Sequence, residues 1–220
     1  MRIIILVVAI FALLMRWPVT GHAQDSQTAA QIVADGTEIS LADCGGGDAA
    51  SRDWGMVADK AASSGTAIEH IRATSGEEDA LAICRSAALK NGDLSLRFKA
   101  MAGASRQSGG LALRMVTPKD YYLVEVDALR NRALFLLVRN GLEKEIVGVD
   151  VDVAADVWHT LAVRAQDDRF AVYLDGDWIF TAYDKTFPHA GRTALWAEPG
   201  SVTRFDRITR GPTPKPLSWQ

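Results

Sequence analysis

Glu125 and Asp127 are the residues of this 220-residue chain best placed for acid–base chemistry. Side chains two apart on an extended strand point the same way. Tyr121, Leu123, Glu125 and Asp127 therefore share one face, and Tyr122, Val124 and Val126 the other. Neighbouring carboxyls can divide the roles of acid and base, or of nucleophile and acid, in cleaving a glycosidic bond. The alternative is a solvated face on which both are paired with Arg or Lys. Arg114 alternates with Leu113 and Met115 and follows Gly109-Gly110, so it is expected on the polar face with Glu125. There it would bind a sugar hydroxyl or pair with the acid across strands. Trp196 is either a platform for the apolar face of a pyranose or a core residue. Glu198, in the loop after it, could add a carboxylate.

Other chemistries have less to stand on. His159 opens a strand and reads as a base or, more simply, as a strand-edge residue; His70 and His189 lie far from it. No His or Cys spacing suggests zinc, and no G-x-S-x-G run suggests a serine nucleophile. Asp120 and Asp184 could lend carboxylates to calcium, but no D-x-D-x-D-G loop supports it, so no cofactor is expected. Asp206 reads as a cap or bridge on the final strand.

The elements that must position these residues are short strands. The sequence predicts strands near 37–42, 54–57, 67–74, 80–84, 94–99, 111–115, 121–127, 132–139, 142–149, 158–165, 170–174, 178–183, 192–197 and 202–209. Leu94, Leu96 and Phe98 point one way, and Ser95, Arg97 and Lys99 the other. Asn140-Gly141 and Asp175-Gly176 between apolar runs are hairpin turns. Glycine-rich 45–48 and polar 74–79 are a loop and a turn. Many short strands without a long helix or repeat predict an all-β, two-sheet antiparallel sandwich over 37–211.

The N-terminus reads as a signal peptide over 1–23. Arg2 precedes an unbroken apolar run from Ile3 to Met15, and Gly21-His22-Ala23 suits cleavage after Ala23. That run is shorter than the roughly 20 residues a membrane span needs. A polar arm over 24–36 follows, and a Pro-rich tail over 212–220 ends the chain. Residues 1–23 carry Arg2 and Arg16 and no acid, leaving 22 basic and 27 acidic residues. That balance argues against a nucleic-acid partner. The expected location is periplasmic or extracellular, where Cys44 and Cys84 would form a disulfide; the alternative is two buried thiols.

Several segments occur in a telling order. Ser108-Gly109-Gly110-Leu111-Ala112-Leu113-Arg114 and Tyr121-Tyr122-Leu123-Val124 come first, then Trp158-His159-Thr160-Leu161 and Tyr173-Leu174-Asp175-Gly176. Asp184-Lys185-Thr186-Phe187, Ala194-Leu195-Trp196 and Phe205-Asp206 close the series. It resembles concanavalin A-like (laminin G-like) jelly-roll domains, and more narrowly the bacterial 3-keto-disaccharide hydrolase domain family. The resemblance implies a jelly roll holding a carbohydrate or sugar derivative on its concave sheet, bound or hydrolysed. Glu125-Val126-Asp127 also resembles the start of the E-x-D-x-E signature of family 16 glycoside hydrolases. Its third acid is absent here, where Leu129 and Arg130 stand. The stretch Ala197-Glu198-Pro199-Gly200 departs from the Thr-Lys-Ala-Asp-like run of close relatives. Three functions follow: a glycan-binding domain, a hydrolase of glycosidic bonds, and a structural or protein-binding laminin G-like module.

Overall fold

The computed structural model describes residues 36–44, 54–70 and 80–211. The expected signal peptide, almost all of the polar arm, the 45–48 loop, the 74–79 turn and the tail lie outside the described residues. The described residues form fourteen strands. These are β1 (Thr37–Ile39), β2 (Trp54–Ala58), β3 (Thr66–His70), β4 (Ala80–Leu89), β5 (Gly92–Ala102), β6 (Ser108–Thr117) and β7 (Asp120–Asp127). Then come β8 (Arg132–Arg139), β9 (Leu142–Asp150), β10 (His159–Gln166), β11 (Arg169–Leu174), β12 (Asp177–Tyr183), β13 (Gly191–Ala197) and β14 (Val202–Arg210). One 3-10 turn, Leu41–Asp43, replaces the end of the first predicted strand.

Sheet A runs β12-β11-β10-β5-β14-β3-β2, with β1 added against β14; sheet B runs β4-β13-β6-β7-β8-β9. All pairings are antiparallel. The two-residue turns behave as expected. Asn140 and Gly141 have φ of 53° and 75°, and Asp175 and Gly176 52° and 95°. Positive φ at both central residues matches the right-handed twist of paired strands.

Period-two alternation builds the core between the sheets. Leu94, Leu96 and Phe98 of β5 share one core cluster with Tyr122, Val124 and Val126 of β7 and with Phe135, Phe170 and Phe205. The Tyr122 hydroxyl donates to Asp184 (2.6 Å) and accepts from the Phe187 amide (3.0 Å), which satisfies a buried phenol. Burial and the Asp184 carboxylate push that phenol up to about 12. The other side of β5 is polar, as expected. Lys99 and Arg204 both bond Asp59 (2.6 and 2.9 Å), holding its carboxyl well below the usual range. Asp206 bridges β14 to Arg97 (2.6 Å) and the Ser63 amide (2.6 Å).

Cys44 and Cys84 are disulfide-bonded and join the segment after β1 to β4. No described helix is long and apolar enough to cross a membrane.

Candidate functional site

Because β7 is central in sheet B, its second face also matters. Tyr121, Leu123 and Glu125 point away from the inter-sheet core, as the alternation predicts. Tyr121 and Leu123 join Leu81, Met115, Leu136, Val138 and Trp196 in an apolar layer on the outer face. The strand registers place Leu81, Trp196, Gly110, Glu125 and Leu134 in one row across five strands. Gly110 separates the indole from the carboxyl. A Cβ there would lie 2.3 Å from the Val124 carbonyl, so only glycine fits.

Glu125 is only 1% exposed. The Ser108 hydroxyl donates to Oε1 (2.8 Å), and Arg106 Nη1 stands 3.7 Å from that oxygen. Oε2 has no hydrogen-bond partner among the described residues, although buried polar atoms are normally paired. Burial pushes the carboxyl up to about 7. Ser108 and Arg106 oppose the rise, and Glu198 and Glu143 add to it. Arg106 also bonds Glu198 (3.0 Å). Burial alone would lower its guanidinium, but Glu125, Glu198 and Glu143 outweigh that and raise it.

Beside these groups opens a cavity of about 610 Å³. Its polar lining comes from Arg106, Lys119, Glu143 and Glu198, its apolar lining from Leu81, Pro118, Leu142 and Pro199. Leu142 is 75% exposed. Two turns build one wall: the Gly141 amide donates to the Lys119 carbonyl (2.9 Å) and the Asn140 amide to Asp120 (3.1 Å). The cavity thus offers charged hydrogen-bonding groups beside apolar surface, the combination that suits a polyhydroxylated ring.

Other expected site residues fall elsewhere. Arg114 does not stand with Glu125. Its φ of 49° marks a bulge in β6, which breaks the alternation: Leu113 enters the inter-sheet core and Met115 the outer layer. Its guanidinium is occupied by the carbonyls of Lys90, Phe187 and Asp167 and lies 4.7 Å above the Phe170 ring. Gly191 lets β13 meet this bulge, since a Cβ there would lie 2.4 Å from the Arg114 carbonyl carbon.

Asp127 serves the β7–β8 turn. Its Oδ1 accepts from the amides of Gln107 (3.2 Å), Leu129 (2.9 Å) and Arg130 (3.2 Å). Trp196 is on the site face yet wholly buried, so its ring packs on protein groups and offers no open platform. Tyr121 is equally buried there, whereas Glu198 lines the cavity. His159 binds Asp175 (2.6 Å) and the Ala154 carbonyl (3.0 Å), an anchor for a turn. Asp120 and Asp184 are each engaged by protein donors, and no described group of three or more His, Cys, Asp or Glu gathers as metal ligands.

Sequence reasoning missed Arg106, Ser108 as a Glu125 partner, and Glu143. Arg106 sits in a loop without periodicity. Ser108 reaches Glu125 only through the β6–β7 register, and Glu143 through β8–β9.

This architecture is a concanavalin A-like jelly-roll sandwich with a buried carboxyl beside a cavity on its second sheet. No protein-family model and no curated protein matches the chain. Among solved structures it is similar to carbohydrate binding module CBM66 from Bacillus subtilis. The TM-score is 0.59 at 21% identity, covering 73% of this chain and 96% of that one. It is also similar to a β-glucanase of Bacillus licheniformis (TM-score 0.53, 14% identity, 73% and 83% covered). A structure described as a native glycosidic hydrolase gives 0.51 at 12% identity, covering 74% and 93%. At these identities the likeness is one of fold.

Proposed function

We propose that this protein is an exported domain that binds a glycan or sugar derivative in the cavity on the outer face of sheet B. One observation carries the reading: a buried carboxyl, Glu125, keeps an oxygen without a partner among the described residues and stands behind Arg106, which lines a cavity that mixes charged groups with apolar surface. Arg106, Glu143 and Glu198 would take hydroxyls, and Leu142, Pro118 and Pro199 the apolar face of a ring. Two supports come from outside the site. A module of the same fold is named for carbohydrate binding. A disulfide fits an oxidising compartment, periplasmic or extracellular.

The test is a glycan array probed with the protein and with Glu125→Ala and Arg106→Ala. The expected result is binding by the parent and at least tenfold weaker binding by both variants. Equal binding by all three would remove the site.

A second reading, hydrolysis in the manner of the 3-keto-disaccharide hydrolases, is favoured by one feature. A carboxyl titrating near 7 is protonated often enough at neutral pH to act as a general acid. Glu198, which shares Arg106 with Glu125, would be the second carboxylate, not Asp127. Release of monosaccharide from 3-keto-disaccharides, lost in Glu125→Gln, would establish it. Turnover that survives Glu125→Gln would exclude it.

A further inference from the structure

Three residues around Glu125 come from different segments: Arg106 from the β5–β6 loop, Ser108 from β6, and Glu198 from the turn after β13. All three are bonded by one residue, Ser201, whose hydrogen bonds go to Arg106, Ser108 and Glu198 rather than to Glu125 itself. Ser201 is fully buried in the turn between β13 and β14. Its hydroxyl donates to the Arg106 carbonyl (2.9 Å) and faces the Ser108 amide at 3.4 Å. Its own amide donates to the Glu198 carbonyl (2.9 Å). Its carbonyl accepts from His70 Nδ1 (2.9 Å), which must carry the proton because a carbonyl only accepts. The site on sheet B is thereby tied to β3 of sheet A.

We propose that Ser201 is the positioning residue of the Glu125 site, holding Arg106 and Ser108 in register on either side of Gln107.

The local packing leaves the loop little alternative. A Cβ at Gly103 would lie 1.7 Å from the Arg106 carbonyl oxygen and 3.1 Å from Ser201 Oγ. Thr203 Oγ1 also donates to the Ser108 carbonyl (2.8 Å), so Ser108 is held at both main-chain groups. Without the Ser201 hydroxyl, the Arg106 carbonyl loses a partner, and buried groups resist that by moving. Arg106 then drifts from Glu125, and the Ser108 hydroxyl loses its aim.

The test reads the Glu125 carboxyl by carbon NMR titration in the parent and in Ser201→Ala. The groups that set this titration are Ser108, Arg106, Glu198 and Glu143. Ser108 and Arg106 both lower it. Loosening them should raise the midpoint by at least half a pH unit, along with any loss of stability. A folded Ser201→Ala protein with an unmoved Glu125 midpoint would overturn the proposal, however much stability it lost. If Ser201→Ala does not fold, Ser201→Cys serves: a weaker thiol donor should give a smaller upward shift, and none would overturn the proposal. This readout needs no ligand. A shifted midpoint in a protein that binds no glycan would refute the glycan reading and leave Ser201's role standing.

Discussion

Replacing Glu125 by Gln should stabilise the protein, with a gain that depends on pH. Burial holds the Glu125 carboxyl at about 7, against 4.5 for an unperturbed one. The folded state therefore binds the proton more tightly than the unfolded chain. Below pH 4.5 both states are protonated and the group costs nothing. As pH rises from 4.5 towards 7 the unfolded chain ionises first, and stability is lost. The full penalty is about 3 kcal/mol, roughly half of it present near pH 5.8 and nearly all by pH 7. Gln keeps the shape, leaves an amide oxygen for the Ser108 hydroxyl and never ionises. Urea unfolding of both proteins at pH 4, 6 and 8 isolates the effect, because every titrating group not coupled to Glu125 cancels in the difference. The difference should be small at pH 4 and about 3 kcal/mol in favour of Gln at pH 8. A pH-independent difference, or a gain complete by pH 5, would refute the reasoning. Glycan binding should move the opposite way, at least tenfold weaker for Gln, as expected of a group kept for function at a cost in stability.

Three further outcomes follow from packing and cross-links. Gly110→Ala forces a Cβ against the Val124 carbonyl and should cost about 1–3 kcal/mol in urea unfolding. Asp59→Ala strips the carboxylate shared by Lys99 and Arg204, and should cost about 3–5 kcal/mol by the same assay. The Cys44→Ser, Cys84→Ser double variant opens a loop with a sequence separation of 40 and should lose about 3–4 kcal/mol. Added reductant should then change the parent's unfolding midpoint but not the variant's.

The fold was legible because its signals are local. Alternation in 94–99 and 121–127 assigned both faces of β5 and β7, and Asn140-Gly141 and Asp175-Gly176 marked turns whose φ values agree. The site was legible only where it rests on such alternation. Glu125 and Tyr121 share a face of β7, as the alternation predicts, but that face is a buried apolar layer rather than a polar one. Arg114 was misplaced because one residue at positive φ shifts the parity of β6, which a period-two reading cannot register. Asp127 shares Glu125's face in the pattern, yet the end of a strand is where a carboxylate caps the next turn. Arg106 and Glu143 act on Glu125, and Ser201 on Arg106, through loops and through pairings between strands distant in sequence. No window of the chain contains them together.

The most direct measurement is a titration of the protein with the strongest glycan from the array, followed by carbon NMR of the Glu125 carboxyl and nitrogen NMR of the Arg106 guanidinium. A saturable shift at both groups, with the Glu125 midpoint displaced in the bound state, is the predicted result. Glycan binding that saturates while both signals stay unmoved would contradict the account and place the binding surface elsewhere.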